Sequence, residues 1–360
     1  MTNVYIEQQG LPELTPSLVF WPNYRFPIKE SRLFLRDIMA QYSEPFFNLV
    51  DRKEEADFFA VPFEYFDVVD GFGSYLARVY ASAKEAGKKV LLFDYTDYVD
   101  RVPTLPKHAV LFRVSAYRHH KKENEFVMPY FVQDFGSLPF STKSPEPVIG
   151  FCGLSGYGRF PQSIKAEVKW YMTAVTLFLQ GDRLRAVHRK GIYWRKQSLS
   201  VLRQTAGIKP AFVERHAYSL HRDSVEGTPE RIRAEYTENL RASHLALVVR
   251  GDANASQRFY EALSAGRIPL FLDTNCVLPL EELVPYDSGM LRVPWTGLRT
   301  LGEVASKRYT MLTDTAFMEM ERSARRIFQG YLKLDRYFAI VFDKVHSPYR
   351  NVLYGATHHE

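Results

Sequence analysis

Residues 250–261 carry arginines and a serine at spacings that suit a bound anion. Arg250 ends an apolar run, HLALVV, which has the length of a buried strand. Gly251 opens a loop of small residues, and Asn254 or Ser256 can cap a following helix with Arg258 in its first turn. Such a turn leaves backbone N–H groups unpaired at the positive end of the helix dipole, and guanidinium groups bind phosphates in a bidentate way. The segment therefore predicts a site for a diphosphate.

Glu261 lies one helical turn beyond these residues, where its carboxylate could accept hydrogen bonds from both hydroxyls of a ribose. The spacing also allows an ordinary surface ion pair between Arg258 and Glu261, with Ser256 acting only as a cap. The glycine pattern is neither a Walker loop nor GxGxxG. Spacing alone leaves both interpretations open.

A second glycine-rich stretch, GFCGLSGYGR, occupies residues 150–159 and follows a strand-like run. Gly153 could let the backbone approach a diphosphate or sugar closely, with Arg159 assisting. Cys152 in the same stretch is interpreted as a small core residue.

Residues 112–125, FRVSAYRHHKKENE, concentrate basic side chains. Arg113, Arg118 and His119 are predicted to bind an anionic acceptor, although a histidine here could also act as a base and the lysines could belong to a solvated loop. We expect the side chains of His119 and His120 to point in different directions, so no metal site is predicted.

The elements that must position these residues are short apolar strands alternating with helices. Helical patterns occupy residues 71–86 and 162–180, and a third occupies 316–342. Strand-like runs occupy 56–63, 88–95, 107–115, 148–153, 244–249 and 268–272. This alternation indicates α/β domains with parallel sheets, in which ligands bind beyond the carboxyl ends of the strands. Residues 141–147, STKSPEP, suit a linker between two such domains.

The composition is that of a globular protein that meets anionic partners. Hydrophobic residues make up 46% of the 360 residues, charged residues 24%, and the net charge is +6. The two cysteines form no disulfide framework or zinc spacing, which favours a reducing compartment. The sequence shows no signal peptide and no apolar run of membrane-spanning length, so we expect a cytoplasmic protein with a peripheral membrane contact left open.

The segment at 230–295 resembles the signature of the exostosin-like glycosyltransferases. In that family a strand is followed by "PRG", a serine, an arginine two residues on, "EAL" and "IPV", and then by "LP" and an acidic residue. The chain has Val249-Arg250-Gly251, Ser256, Arg258, Glu261-Ala262-Leu263, Ile268-Pro269, Leu278-Pro279 and Glu282 at these positions. The run ADFFAVPF is similar to the family's "ADLFFVPF". The chain departs from the pattern at Val249, where proline is usual, and at Arg267, where a small residue or cysteine is common.

The resemblance implies a GT-B architecture of two Rossmann-like domains facing a cleft. We expect an acceptor domain over residues 1–143, a nucleotide-sugar domain over 144–325, and a C-terminal helical segment, 326–360, that crosses back to the first domain. The resemblance also implies an inverting enzyme in which Arg250, Ser256 and Arg258 hold the diphosphate and Glu261 holds the ribose.

Inversion in one step requires a base that deprotonates the acceptor hydroxyl. Asp97 is the first candidate and Asp94 the second, because both follow the strand VLLF at its carboxyl end, and Glu64, after another strand, is the third. Asp94 could equally cap a turn. With no DxD motif in the chain, we expect arginines and helix N–H groups, and no metal or other cofactor, to neutralise the leaving group.

The function expected is transfer of a sugar from a UDP- or GDP-sugar to a glycan or lipid-linked glycan acceptor, in bacterial capsule, O-antigen or other surface polysaccharide synthesis. One alternative is a non-catalytic protein that binds nucleotide sugars or glycans. A nucleic-acid-binding protein ranks last, because the chain carries no RNA- or DNA-binding motif.

Overall fold

The computed structural model describes residues 1–29, 33–136, 138–156, 160–179, 181–216 and 227–354, and it contains two parallel β-sheets flanked by helices. The strands are β1 Thr2–Tyr5, β2 Phe47–Val50, β3 Phe58–Glu64, β4 Lys89–Asp94, β5 Ala109–Arg113, β6 Glu125–Val127, β7 Val148–Leu154, β8 Lys209–Arg215, β9 Leu245–Val248, β10 Ile268–Asp273 and β11 Leu291–Pro294. The helices are α1 Trp21–Tyr24, α2 Leu35–Ala40, α3 Tyr65–Gly71, α4 Gly73–Glu85, α5 Phe160–Leu179, α6 Gly191–Gln204, α7 Pro229–Ala242, α8 Gln257–Ser264, α9 Leu301–Thr310, α10 Asp314–Ile327, α11 Leu334–Val341 and α12 Arg350–Tyr354.

The first sheet has the order β2-β1-β3-β4-β5-β6, and every pairing is parallel. Its central strands are apolar along their length because helices and loops cover both faces, and all five residues of β5 are buried. The chain passes from β1 to β2 on one side and then to β3 on the other. Loops that follow β1 and β3 therefore diverge at the carboxyl edge of the sheet.

The second sheet has the order β11-β10-β9-β7-β8 and is also parallel throughout. Here the chain leaves β7 for β8 on one side and returns to β9 on the other. Such a reversal of strand order opens a crevice at the carboxyl ends of the strands, where ligands bind in open α/β sheets. The two sheets confirm the mixed α/β, Rossmann-like fold expected from the sequence.

The last helices contact the first sheet. The ring of Phe338 on α11 lies 5.4 Å from that of Phe47 and 6.0 Å from that of Phe112. Tyr349 stacks on Phe126 with ring centroids 3.9 Å apart. Aromatic contacts of this kind bury large apolar areas and attach the end of the chain to the first sheet.

The regular structure differs from the sequence prediction in two respects. Five short strands were missed, β1, β2, β6, β8 and β11, all of which have seven residues or fewer and most of which lie at or next to a sheet edge. The helix expected over 316–342 is interrupted by a π-helical turn, Phe328–Leu332, and by an extended residue, Lys333. Within the described part of the chain, no helix is both long and apolar enough to traverse a lipid bilayer.

Candidate functional site

A crevice between the loops that follow β7 and β9 collects the residues that the sequence singled out. Helix α8 begins directly after Ser256, which has extended backbone angles at the N-cap position and makes no capping hydrogen bond with its side chain. Phe259, Ala262 and Leu263 are buried, and their spacing of three and four residues places them on one face of the helix against the sheet. The N–H groups of the first turn of α8 are therefore held at the switch point of the sheet, with the Ser256 hydroxyl beside them.

Arg258 spans this crevice. Its Nη2 donates to the carbonyl oxygen of Cys152 on β7, and its guanidinium carbon lies 4.4 Å from the ring centre of Phe151. Gly153 makes the approach possible, because a Cβ at this residue would lie 2.6 Å from Nη2 of Arg258. Among the described residues, the buried Nε of Arg258 has no hydrogen-bond partner. The side chain thus brings positive charge and an unused donor to the crevice.

Arg195 on α6 lies on the same crevice and was not predicted as a site residue. Its Nη1 donates to the carbonyl oxygen of Leu154 at 3.0 Å, and its Nη2 lies 3.6 Å from the position of a Cβ on Gly251. Gly251 leaves room for this guanidinium because it has no side chain. The only signal in the sequence was the basic and aromatic run of residues 183–196.

Arg250 occupies a different position from the one expected. It is only 3% exposed, and its N–H groups donate to the Tyr117 hydroxyl at 2.7 Å, the Val187 carbonyl at 2.7 Å and the Asp252 carbonyl at 2.9 Å. Because protein oxygens surround its guanidinium, Arg250 fastens the loop before α8 instead of facing the crevice.

Glu261 lies on α8 one turn after Arg258. Its Oε2 accepts a hydrogen bond from the Tyr236 hydroxyl at 2.5 Å, and its Oε1 lies 3.8 Å from Nη1 of Arg233. Burial and the adjacent Glu261 carboxylate raise the pKa of Tyr236 well above its ordinary value, so the tyrosine stays a donor. Tyr236 thus orients the Glu261 carboxylate. Of the two contacts, the one to Oε1 is the longer, an ion pair with Arg233.

The carboxylates considered as a base lie at the carboxyl edge of the first sheet. Burial raises the pKa of Glu64, at the end of β3, to about 7, with a further contribution from the Asp94 charge, while the N–H of Tyr95 donates to Oε2 at 2.5 Å and acts in the opposite direction. Asp97 is exposed in the loop after β4.

Asp94 and Arg113 form a buried ion pair, with Nη2 of Arg113 3.3 Å from Oδ2 of Asp94. Their side chains are 1% and 4% exposed, and Arg113 also lies 3.7 Å from Glu125. This placement differs from the roles predicted for them, since neither group reaches the surface where an acceptor would approach. The reason is that β4 and β5 are inner strands, and the loop after β4 covers Arg113, which donates to the carbonyl groups of Tyr98 and Arg101.

Arg118 and His119 lie where the two sheets meet. Arg118 makes a bidentate pair with Glu281 at 2.6 and 2.8 Å and lines an open, polar cavity of about 430 Å³ beside Asp273, Tyr286 and Arg292. His119 lies in a cluster with His120 and His188. Arg159, predicted to assist at the crevice, lies outside the described residues.

The expectation that His119 and His120 diverge is wrong. Residues 117–120 form a tight turn in which the N–H groups of His120 and Lys121 both donate to the Tyr117 carbonyl, at 3.0 and 2.9 Å. In such a turn neighbouring side chains do not alternate as they do in a strand. The two rings therefore lie with their centroids 4.0 Å apart.

The fold and the crevice define a class of α/β proteins with two parallel sheets. In this class a basic crevice lies at the strand-order reversal of the C-terminal sheet, beside the N-terminus of a helix. Within that class, residues 193–307 match the model of the Exostosin GT47 domain. The chain is also similar to a protein named Exostosin-1 homolog from Caenorhabditis elegans, with 27% identity over 118 residues, which are 31% of this chain and 30% of that relative. These matches confirm the resemblance to the exostosin-like glycosyltransferase family. The family-model match includes most of α6, the helices α7 and α8, and both strands that flank α8.

Proposed function

We propose that this protein is an inverting glycosyltransferase that moves a sugar from a UDP- or GDP-sugar to a glycan acceptor. In this reaction the acceptor oxygen attacks the anomeric carbon, the bond from that carbon to the diphosphate breaks, and a base takes the hydroxyl proton. The leaving diphosphate gains negative charge, which must be stabilised where it develops. The exostosin GT47 match supports the reaction class.

The observation that carries the proposal is the position of Arg258 at the N-terminus of α8. A diphosphate at this point would meet the N–H groups of the first helical turn, the Ser256 hydroxyl and the unused Nε of Arg258. Arg195 supplies a second positive charge at the same crevice. We propose that these groups replace a metal ion at the leaving group and that Glu261 accepts the ribose hydroxyls.

We propose a GT-B arrangement in which the first sheet supplies the acceptor side of a cleft and residues 326–360 form the crossover. The contacts of Phe338 and Tyr349 with the first sheet support the crossover. The Arg250–Tyr117 hydrogen bond supports a fixed approach of the two halves at one edge of the cleft.

We propose Glu64 as the base that deprotonates the acceptor. Its raised pKa of about 7 suits general base catalysis near neutral pH, since such a carboxylate is basic enough to take a proton and is still about half ionised. Its place at the end of β3, beside the strand-order reversal of the first sheet, is one where active-site groups collect. Asp97, exposed in the next loop, remains the alternative.

We propose that the acceptor is a lipid-linked glycan of bacterial surface polysaccharide synthesis and that α5 holds the enzyme at the cytoplasmic membrane face. Seven large apolar side chains of α5 are each more than half exposed and recur at spacings of three and four residues: Ile164, Val168, Tyr171, Met172, Val175, Phe178 and Leu179. Between residues 164 and 196 there are eight Lys or Arg, at 165, 169, 183, 185, 189, 190, 195 and 196, against two acidic residues, at 167 and 182. An apolar face with basic neighbours is the pattern of a helix that lies in an anionic bilayer surface.

The test is release of free nucleoside diphosphate from a panel of UDP- and GDP-sugars, with glycan acceptors and without added Mg²⁺ or Mn²⁺. We expect one nucleotide to be released together with a new glycosidic bond of inverted anomeric configuration. Binding of a sugar nucleotide without release or transfer would instead identify a non-catalytic binding protein. Absence of both binding and release across the panel contradicts the proposal.

A further inference from the structure

Three histidines and one aspartate converge where the loop after β5 meets the segment before α6. Oδ2 of Asp182 lies 2.9 Å from Nε2 of His188, 3.4 Å from Nε2 of His119 and 3.7 Å from Nε2 of His120. One nitrogen or oxygen from each of the four side chains lies within 4.8 Å of the others. These distances are those of groups that point at one common position.

The distances from the aspartate oxygen are close to those expected around a tetrahedral zinc ion. Zinc binds imidazole nitrogen at about 2.0–2.1 Å and carboxylate oxygen at about 2.0–2.2 Å, so neighbouring ligand atoms in a tetrahedral site are about 3.3 Å apart. The distances of 2.9, 3.4 and 3.7 Å from the aspartate oxygen lie on either side of that value. A set of three imidazoles and one carboxylate is one that zinc favours.

The outer hydrogen bonds of two histidines orient their Nε2 atoms. Nδ1 of His188 lies 2.9 Å from Oδ1 of Asp100, and Nδ1 of His119 lies 2.9 Å from Oδ1 of Asn275. Each Nδ1 therefore carries the proton, which leaves a lone pair on Nε2 in the neutral ring. Carboxylate–histidine pairs of this kind surround metal sites in proteins.

A bound cation explains the convergence of the three histidines on Asp182 more simply than hydrogen bonds do. With Nδ1 committed as a donor, Nε2 of His188 and of His119 would each direct a lone pair at the Asp182 oxygen, unless each ring took up a second proton. A single dication between them would satisfy all three rings and the carboxylate together. The N–H of Leu184 donates to the other oxygen of Asp182 at 2.7 Å and holds the carboxylate in place.

We propose that His119, His120, Asp182 and His188 form a structural zinc site that ties the loop after β5 to the segment before α6. Four protein ligands make a closed site, which is typical of a structural metal. The site would also steady Arg250, because that side chain donates to the Val187 carbonyl and to the hydroxyl of Tyr117, whose ring lies 4.2 Å from that of His188. The inference stands apart from the proposed transfer reaction.

The experiment uses the full chain without an added histidine tag and with H358A and H359A, because adjacent histidines outside the described residues would bind zinc on their own. The protein is exposed to zinc, dialysed, and its metal content measured by mass spectrometry. A parallel sample receives Co²⁺, whose intense visible absorption reports tetrahedral coordination. We expect one zinc per chain and a tetrahedral cobalt spectrum.

Variants locate the metal. His188→Ala and Asp182→Asn should each lose the bound zinc, whereas His346→Ala, a control histidine that is 82% exposed and contacts only Asp343 in the described structure, should retain it. Asp100→Asn keeps all four ligands and should weaken zinc affinity about 10- to 100-fold, so it tests the site even where a ligand variant fails to fold. A parent chain without bound zinc, an octahedral cobalt spectrum, or unchanged zinc in Asp182→Asn would overturn the proposal.

Discussion

Arg258 on α8 donates a hydrogen bond to the carbonyl oxygen of Cys152 on β7, and so connects β7 with the helix that follows β9 at the strand-order reversal of the second sheet. The contact joins residues 106 positions apart in the chain. It holds a positive charge where an anion would lie at the end of the sheet.

Replacement of Arg258 by alanine should remove the principal charge at the leaving group. We expect nucleoside diphosphate to bind more weakly and kcat for sugar transfer to fall about 10²- to 10³-fold, the range seen when one donor to a developing negative charge is lost. Calorimetry and steady-state kinetics would measure these effects. Arg241→Ala is the matched control, because Arg241 lies on neighbouring α7 and, within the described residues, its side chain pairs only with exposed Glu238. Equal kinetics in the two variants would contradict the site.

Gly153→Ala should disturb the same contact without any change of charge. The residue has φ of +151°, which disfavours any side chain, and the new Cβ would lie 2.6 Å from Nη2 of Arg258. We expect a loss of about 1–3 kcal/mol in the free energy of unfolding and a weaker affinity for nucleotide. Chemical denaturation and nucleotide titration would measure the two effects. A Cβ at Gly73 would meet no atom of the described residues within 4 Å, so Gly73→Ala should leave both nearly unchanged. A similar loss in Gly73→Ala would show that the effect does not come from the contact with Arg258.

Glu261→Gln tests the ribose contact. The parent protein should bind the nucleoside diphosphate more tightly than its 2′-deoxy analogue, because a carboxylate is a stronger acceptor than an amide. The variant should bind the two ligands almost equally, with a donor KM about 10-fold higher and a nearly unchanged kcat. Tyr236→Phe removes the neighbouring hydroxyl but keeps the carboxylate, so it should still distinguish the two ligands. Retained discrimination in Glu261→Gln would place the ribose elsewhere.

The exposed face of α5 predicts binding to anionic vesicles. We expect the chain to sediment with vesicles that contain phosphatidylglycerol, not with those of phosphatidylcholine alone, and to be released as salt rises, because each basic residue near the surface contributes about 1 kcal/mol. Met172→Asp should abolish the binding. Met311→Asp changes a methionine of similar exposure, 74% against 69%, on another part of the chain and should retain it. A stable dimer that needs Met172, with no vesicle binding, would identify a second copy as the partner instead.

The local unit around α8 could be predicted because its signals are local. A buried strand, a loop of small residues, an N-cap serine and an apolar stripe occur within about 25 residues, and β9, α8 and β10 follow that plan. The helix after Ser256 and the strand from Ile268 begin where the pattern places them.

The partners of the charged residues could not be predicted, because they come from distant parts of the chain. Arg250 is held by Tyr117, 133 residues away, and Arg195 reaches the crevice from α6. Arg267, noted as a departure from the family pattern, is 1% exposed and pairs with buried Glu321 at 3.3 Å. Whether an arginine meets a ligand or a protein oxygen depends on such tertiary contacts.

The histidine cluster could not be predicted from the sequence either. The adjacent pair His119 and His120 gives no metal spacing by itself, and Asp182 and His188 lie more than 60 residues later. Only the fold brings the four side chains together. Short or edge strands such as β6 were missed because three residues are too few to show a period.

Glu64 is expected to control the pH dependence of the reaction. A base must be unprotonated to act, so with a pKa raised to about 7 the rate should fall as pH drops below about 7 and level off above it. Glu64→Gln should abolish transfer while nucleotide binding survives. Asp97→Asn should keep the pH profile. If Asp97→Asn removes the activity and Glu64→Gln does not, Asp97 is the base.

The raised pKa of Glu64 also makes the stability of the folded chain depend on pH. The folded-state pKa of Glu64, about 7, lies above its ordinary value of 4.5, so between these pH values the folded chain holds a proton that the unfolded chain has released. The parent protein should therefore lose stability at this site as pH rises from about 4.5 to 7, by an amount on the order of 3 kcal/mol.

Glu64→Gln carries no titrating group and should be more stable than the parent at pH 8 but not at pH 4. Urea unfolding at both pH values would measure this difference, and Glu303→Gln, an exposed carboxylate on α9, should show none. Burial raises the pKa of the base and lowers the stability of the folded chain at pH 8. A Glu64→Gln variant that is both inactive and more stable at pH 8 would therefore show that the buried carboxylate serves catalysis at the expense of stability.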